Sequence, residues 1–162
     1  MKHGHKFLIG VSALIALAMA VALIASGGQG AWAAPGIIYV DAGATGGNDG
    51  SSWDDAYTDL QPALAVAASG DEIWVAAGTY KPTSGTDRFA SFQMVNGVAI
   101  YGGFDPGVDA TQFRDRDWVT YATILSGDIG AEGDSSDNSY HVFYHPAGAD
   151  LDGSATLDGF TI

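Results

Sequence analysis

The chain has 162 residues, of which 6 are Lys or Arg and 19 are Asp or Glu, giving a formal charge of −13, and it has no cysteine. The lack of cysteine removes disulfide frameworks, thiolate metal sites and lipoprotein attachment. Lys2 and Lys6 fall within the first six residues and the first acid is Asp41, so without those two leader charges residues 34–162 carry −15; such a field repels phosphate backbones and excludes nucleic-acid binding.

The N-terminus reads as a leader. Phe7 to Ala25 are apolar or small, interrupted only by Gly10 and Ser12, and a small-x-small site follows at Ala31-Trp32-Ala33. A positive start, an apolar run and such a site are the parts of a secretory signal peptide, here residues 1–33, with cleavage after Ala33. The rival is an uncleaved anchor, because the run approaches the roughly 20 residues that span a bilayer. Either reading exports residues 34–162.

Ile37-Ile-Tyr-Val40 is β-branched and aromatic, a first strand. Asp41 to Gly50 is an irregular loop rich in Gly, Asn and Asp. A helix follows, with Thr58 as N-cap, Gln61 completing a capping box and Pro62 in the first turn. Leu60, Ala63, Leu64 and Ala67 form its apolar face, and Ser69-Gly70 supplies the stop. This amphipathic helix is expected to cover the edge of whatever sheet follows.

Beyond Asp71 the period changes. Glu72–Ala76, Ser91–Val95, Val98–Tyr101, Thr123–Ser126, Tyr140–Tyr144 and Ala155–Asp158 are short and extended, separated by Gly, Asp, Asn and Ser turns. Val98-Ala-Ile-Tyr-Gly102, Thr123-Ile-Leu-Ser-Gly127 and Ala155-Thr-Leu-Asp-Gly159 repeat one strand-to-glycine cassette, with glycines 25 and then 32 residues apart. Spacing in this range suggests stacked repeats. The expected fold is therefore mainly β, a right-handed parallel β-helix (solenoid) with an N-terminal amphipathic cap helix, truncated after a few coils. An antiparallel sandwich is the rival, but two-residue hairpin signals are largely absent.

Several stretches resemble the N-terminal part of exported bacterial proteins with the pectin-lyase-like right-handed parallel β-helix. They are Ile38-Tyr-Val-Asp41, Asn48-Asp-Gly-Ser-Ser-Trp53, Leu60-Gln-Pro-Ala-Leu64, Gly70-Asp-Glu-Ile-Trp-Val-Ala76, Gly78-Thr-Tyr80 and Ile100-Tyr-Gly-Gly-Phe104. Arg116-Asp-Trp118, Thr123-Ile-Leu-Ser-Gly-Asp-Ile129 and Leu157-Asp-Gly-Phe-Thr-Ile162 complete the set. The resemblance implies the fold and the cap helix. It also admits polysaccharide lyases and hydrolases, but the grouped Asp, Gly-His-Gly and Arg-x-Lys signatures of such enzymes are not found, so no catalytic residue is assigned.

Cleavage of a glycosidic bond needs two carboxyls across it. Asp54/Asp55 and Asp115/Asp117 are adjacent or alternating loop acids, read as solvated. Calcium is the metal that acidic, Gly-rich loops would take. Asp128, Glu132, Asp134 and Asp137 are the candidate ligands, with Asp41–Asp55 and Asp150–Ser154 as further loops, although turn chemistry is the favoured reading of all three. Asp150–Ser154 opens like an EF-hand but has Ala155 at its sixth position and Thr161 at its twelfth. His141 and His145, on a strand, would stand about 13 Å apart, too far for one metal. Arg114 to Asp117 reads as a charge run with local ion pairs, and Arg116 with Trp118 as a candidate glycan contact. Trp53 and Trp74 are read as sealing the core.

The expected function is that of an exported cell-surface or secreted protein, non-catalytic, with a structural, adhesive or glycan-contacting role. The alternative is the opening segment of a polysaccharide lyase or glycoside hydrolase whose active site lies in further coils. The expected partner is a polysaccharide or cell-envelope glycan, with membrane contact only through an uncleaved leader or a further C-terminal region.

Overall fold

The computed structural model describes residues 35–105, 107 and 110–162. The leader, read as signal peptide or anchor, lies outside the described residues. Among the described residues, no helix is long and apolar enough to cross a membrane.

The elements are β1 (Ile37–Val40), α1 (Leu60–Val66), β2 (Glu72–Ala76), β3 (Gly78–Tyr80), β4 (Ala99–Phe104), a 3₁₀ turn (Phe113–Asp115), β5 (Thr123–Leu125), β6 (Thr156–Asp158) and β7 (Phe160–Thr161). They form a four-stranded sheet in the order β1-β2-β4-β6 and a three-stranded sheet in the order β3-β5-β7. Every strand pairing is parallel.

Register explains the sequence pattern. Ile38, Ile73, Ile100 and Leu157 stand opposite one another across the larger sheet, and Tyr39, Trp74, Tyr101 and Asp158 form the neighbouring row. Successive residues of a strand face opposite sides. The aliphatic row therefore joins one core with Val40, Leu60, Leu64, Val75, Phe92 and Leu125. The aromatic row faces a second cluster of Trp53, Trp74, Ala76, Phe104 and Ala110. Parallel sheets are buried on both faces, and Ile73, Trp74, Val75 and Ala76 of central β2 are accordingly all buried. Trp53 and Trp74 belong to this second core: Trp53 Nε1 donates to Ala110 O at 2.9 Å and Trp74 Nε1 to Glu72 Oε2 at 2.7 Å.

These findings correct the expected fold class. In place of a mainly-β right-handed parallel β-helix, the described residues form two small parallel sheets with a short helix, a mixed α/β arrangement. The three cassettes are not equivalent copies. Those ending at Gly102 and Gly159 belong to β4 and β6 of one sheet, whereas Thr123–Leu125 is β5 of the other, opposite Gly78–Tyr80 and Phe160–Thr161. Shared glycine chemistry therefore concealed two kinds of strand. Ser91–Val95 and Tyr140–Tyr144, expected as strands, contribute only the parallel bridge Phe92↔Phe143. The ladder stops there because the next donor, Met94 N, is taken by His145 Nε2 at 2.8 Å instead of a carbonyl.

The helix differs from expectation in its ends and its position. Its N-cap is Asp59, with no side-chain cap bond. Thr58 N donates to Asn48 Oδ1, and Gln61 Nε2 reaches out to Pro82 O and Ser91 O, so the capping box does not form. Pro62 still falls among the first four residues, whose N–H groups have no helical partner. The helix ends at Val66, before Gly70, and packs its Leu60, Ala63 and Leu64 against β1 and β2. The edge of β1 is covered instead by the preceding loop: Tyr39 N donates to Gly50 O, Tyr57 N to Tyr39 O and Asp41 N to Tyr57 O. An edge strand needs such partners for its backbone groups.

Gly103 shows how tightly the end of β4 is packed. Its φ is +92°, and a Cβ there would lie 2.8 Å from Trp118 Cα and N. Gly133 has a similar φ of +79° but nothing within 4 Å. Replacement of Gly103 by Ala is expected to lower stability by roughly 1–3 kcal/mol from backbone strain alone, with the clash added. Gly133→Ala meets only the φ penalty, about 1 kcal/mol. Urea unfolding midpoints of the two variants test this; equal losses would mean that the close approach of Trp118 carries no energy.

Candidate functional site

Arg116 and Trp118 follow the 3₁₀ turn, and the two side chains do meet: the Arg116 guanidinium carbon is 5.4 Å from the Trp118 ring centroid. Arg116 nevertheless faces inward, with a side chain only 3% exposed although the residue as a whole is half-buried. Its Nε donates to Gly102 O at 2.8 Å, and one terminal nitrogen donates to Asp158 O at 3.2 Å and pairs with Asp158 Oδ1 at 2.8 Å. Its guanidinium carbon also lies 4.7 Å from the Phe113 ring centroid and 5.0 Å from that of Tyr101. It therefore ties β4 to β6 and has little left to offer a sugar. Trp118 is exposed and borders a cavity of about 370 Å³ with Asp158, Gly159, Phe160 and Thr161.

The expected local ion pairs of the Arg114–Asp117 run are replaced by a pairing 42 residues away. Asp115 Oδ2 accepts from Gln112 N and Thr111 N. Asp117 accepts from Val119 N, Thr120 N and the Thr120 hydroxyl, and the hydroxyl bond above all holds its carboxyl below the usual range. These acids are turn formers.

The same holds for the calcium candidates. Asp128 Oδ2 accepts from Gly133 N at 3.0 Å, Asp134 Oδ1 from Ser136 N at 2.9 Å and Asp137 Oδ2 from Ala131 N at 2.8 Å, while Glu132 is exposed. With its amide nitrogen turned to donate, Asn138 reaches Asp128 Oδ1 at 3.1 Å and Asp134 O at 3.2 Å. The carboxylates thus hold the loop's own donors. Among the described residues, no three acidic or histidine side chains converge as around a metal. The Asp41–Asp55 loop is likewise knit to itself, through Gly46 N to Asp54 O and Gly50 N to Asp55 O. Asp150–Ser154 is docked on Asn96, whose Nδ2 donates to Asp150 O and whose Oδ1 accepts from Asp152 N.

The feature best suited to a ligand was not singled out from the sequence. Phe89, Tyr140, His141 and Tyr144 line a groove of about 470 Å³. Phe89 is 82% exposed, Tyr140 53% and Tyr144 49%. The rings form two pairs, Phe89 with Tyr140 at 5.1 Å and His141 with Tyr144 at 5.5 Å, the second nearly parallel at 19°.

Two chain segments build this groove. Asp87 Oδ1 accepts from Phe89 N and fixes the turn that presents Phe89. Tyr140 N donates to Arg88 O, Phe92 N to Val142 O and Tyr144 N to Phe92 O, closing the segments against each other. Arg88 adds a side-chain tie, its Nε donating to Asn138 O at 2.7 Å while its guanidinium lies 4.3 Å from the Tyr140 ring centroid. Val142 and Phe143 then turn toward the aliphatic core, with Phe143 against Phe92 at 5.7 Å. His145 is held by Met94 N and stands apart from His141. Little signal was present in the sequence: strict alternation about inward Val142 would place Tyr140 and Tyr144 on its own face, not outward. Phe89 gave none.

Comparison with protein-family models, curated proteins and solved structures returned no match to this chain.

If Arg116 is a structural tie, Arg116→Ala should lower stability by roughly 1.5–3 kcal/mol, because Gly102 O and Asp158 lose a charged donor. Arg116→Lys should recover less than half of that, since a single ammonium cannot reproduce the fork. Trp118→Ala should stay within about 0.5 kcal/mol of the parent, as exposed sites usually do. Thermal unfolding of the three variants checks the order; a neutral Arg116→Ala would remove the tie.

Proposed function

We propose that this chain is a non-catalytic glycan-contacting protein, acting outside the cell through the groove of Phe89, Tyr140, His141 and Tyr144. The observation that carries this reading is the exposure of three large aromatic rings in one concave place. Exposed aromatic patches mark interaction sites, and the groove volume is in the range of small-molecule sites. Pyranose rings present a face of C–H groups that packs on an aromatic ring, with hydroxyls at the rim. Tyr140 and Tyr144 suit that ligand because each combines an apolar body with a polar tip. Among the described residues the lining has no carboxylate, so these residues supply no acid–base pair for glycosidic cleavage. Contact, and not turnover, is the activity this groove is equipped for. Export by the leader read at residues 1–33 would bring the groove to extracellular polysaccharide.

The test is binding of soluble oligosaccharides and pull-down on insoluble polysaccharides. Tyr140→Ala and Tyr144→Ala should each weaken binding roughly tenfold, the scale of one well-packed aromatic contact, with unchanged circular dichroism. Trp118→Ala should bind as the parent does. Binding that survives both tyrosine replacements would sink the proposal.

A further inference from the structure

Resting on that reading, we infer that the groove selects uncharged glycans and discriminates against uronic-acid polymers. Among the described residues, two phenols, a phenyl and an imidazole line the groove, with no carboxylate, ammonium or guanidinium. A sugar carboxylate entering it would lose hydration without gaining a cationic partner.

The rest of the molecule adds to this discrimination. Residues 34–162 carry −15 and contain only four basic residues, Lys81, Arg88, Arg114 and Arg116. A field of that sign lowers the local concentration of polyanions. Two of those cations are already engaged. Arg116 is bound to Asp158 and Gly102 O. Arg88, the cation nearest the groove, rests its guanidinium against Tyr140, donates from Nε to Asn138 O and is not part of the lining.

Amino sugars are disfavoured for the complementary reason. The anionic body would attract them everywhere, but among the described residues the groove lining offers no carboxylate to hold an ammonium. The nearby Asp87 spends one carboxylate oxygen on Phe89 N and is not part of the described lining. Uncharged sugars need only stacking faces and neutral hydrogen-bonding groups. The exposed Tyr140 and Tyr144 carry hydroxyls that can supply the latter.

The experiment is calorimetric titration of the full chain at low and moderate salt with three probe sets. These are neutral gluco-, xylo- and manno-oligosaccharides, oligogalacturonates and chitosan oligosaccharides. At least one neutral series should bind, its Kd changing less than twofold with salt and rising about tenfold in Tyr140→Ala or Tyr144→Ala. Oligogalacturonates should bind at least tenfold more weakly. Any chitosan binding should vanish with salt and ignore the tyrosine replacements, which would support assigning it to the overall field. If oligogalacturonate, or salt-resistant chitosan, binds as tightly as neutral sugars and depends on the tyrosines, the charge selection is overturned while the groove remains a glycan site. If no probe binds, or none depends on the tyrosines, both this inference and the glycan reading fall.

Discussion

The fold depends on a close backbone approach at Gly102 and Gly103, in the second half of β4. A Cβ on Gly102 would stand 2.6 Å from Gly159 O and 2.9 Å from Thr123 Cβ, so strands of both sheets meet there. Buried Thr123 occupies the junction: its Oγ1 accepts from Gly103 N at 2.9 Å and lies 3.4 Å and 3.3 Å from the carbonyls of Val75 and Ala76. A buried N–H without a partner costs about 1–3 kcal/mol, so one hydroxyl lets β2, β4 and β5 converge without that loss. Arg116 completes the junction from outside by capping Gly102 O and holding Asp158 of β6.

What the sequence made legible follows from this arrangement. Local signals were reliable where burial alone decides structure: Ile37–Val40, Glu72–Ala76 and the helix face of Leu60, Ala63 and Leu64 all appear where periodicity placed them. Periodicity could not say which strands are partners. Gly102 lies within a strand of one sheet, Gly159 follows a strand of the same sheet and Gly127 follows a strand of the other, yet the residues before all three look alike. Partner choice is fixed by long-range bonds such as Gly103 N to Thr123 Oγ1, and no window of sequence contains both ends. The fold-class expectation failed at that point.

The polar residues follow a related logic. Asp115, Asp117, Asp128, Asp134 and Asp137 each accept, through a carboxylate oxygen, from a backbone N–H within six residues. Short Asp side chains in Gly-rich loops compete for local donors, so the acidic composition of these loops is mostly turn chemistry. Arg116 makes its ion pair far along the chain, where the sequence suggested a local one. Asp115 and Asp117 accept from loop donors, while the guanidinium pairs with Asp158 across the sheet.

The groove lies where the backbone pairing is weakest. Phe92 and Phe143 make one parallel bridge, and with His145 accepting from Met94 N the two segments cannot extend it into a ladder. A continuous ladder would impose strict alternation and send Tyr140 and Tyr144 to one face with Val142. Freed from it, the segment buries Val142 and Phe143 in the aliphatic core and turns Tyr140, His141 and Tyr144 outward beside Phe89. Recognition residues are commonly carried on loops held by a rigid scaffold. Here the two sheets and their paired cores are that scaffold, and the interrupted ladder is what lets aromatic side chains, which would otherwise enlarge the core, face solvent.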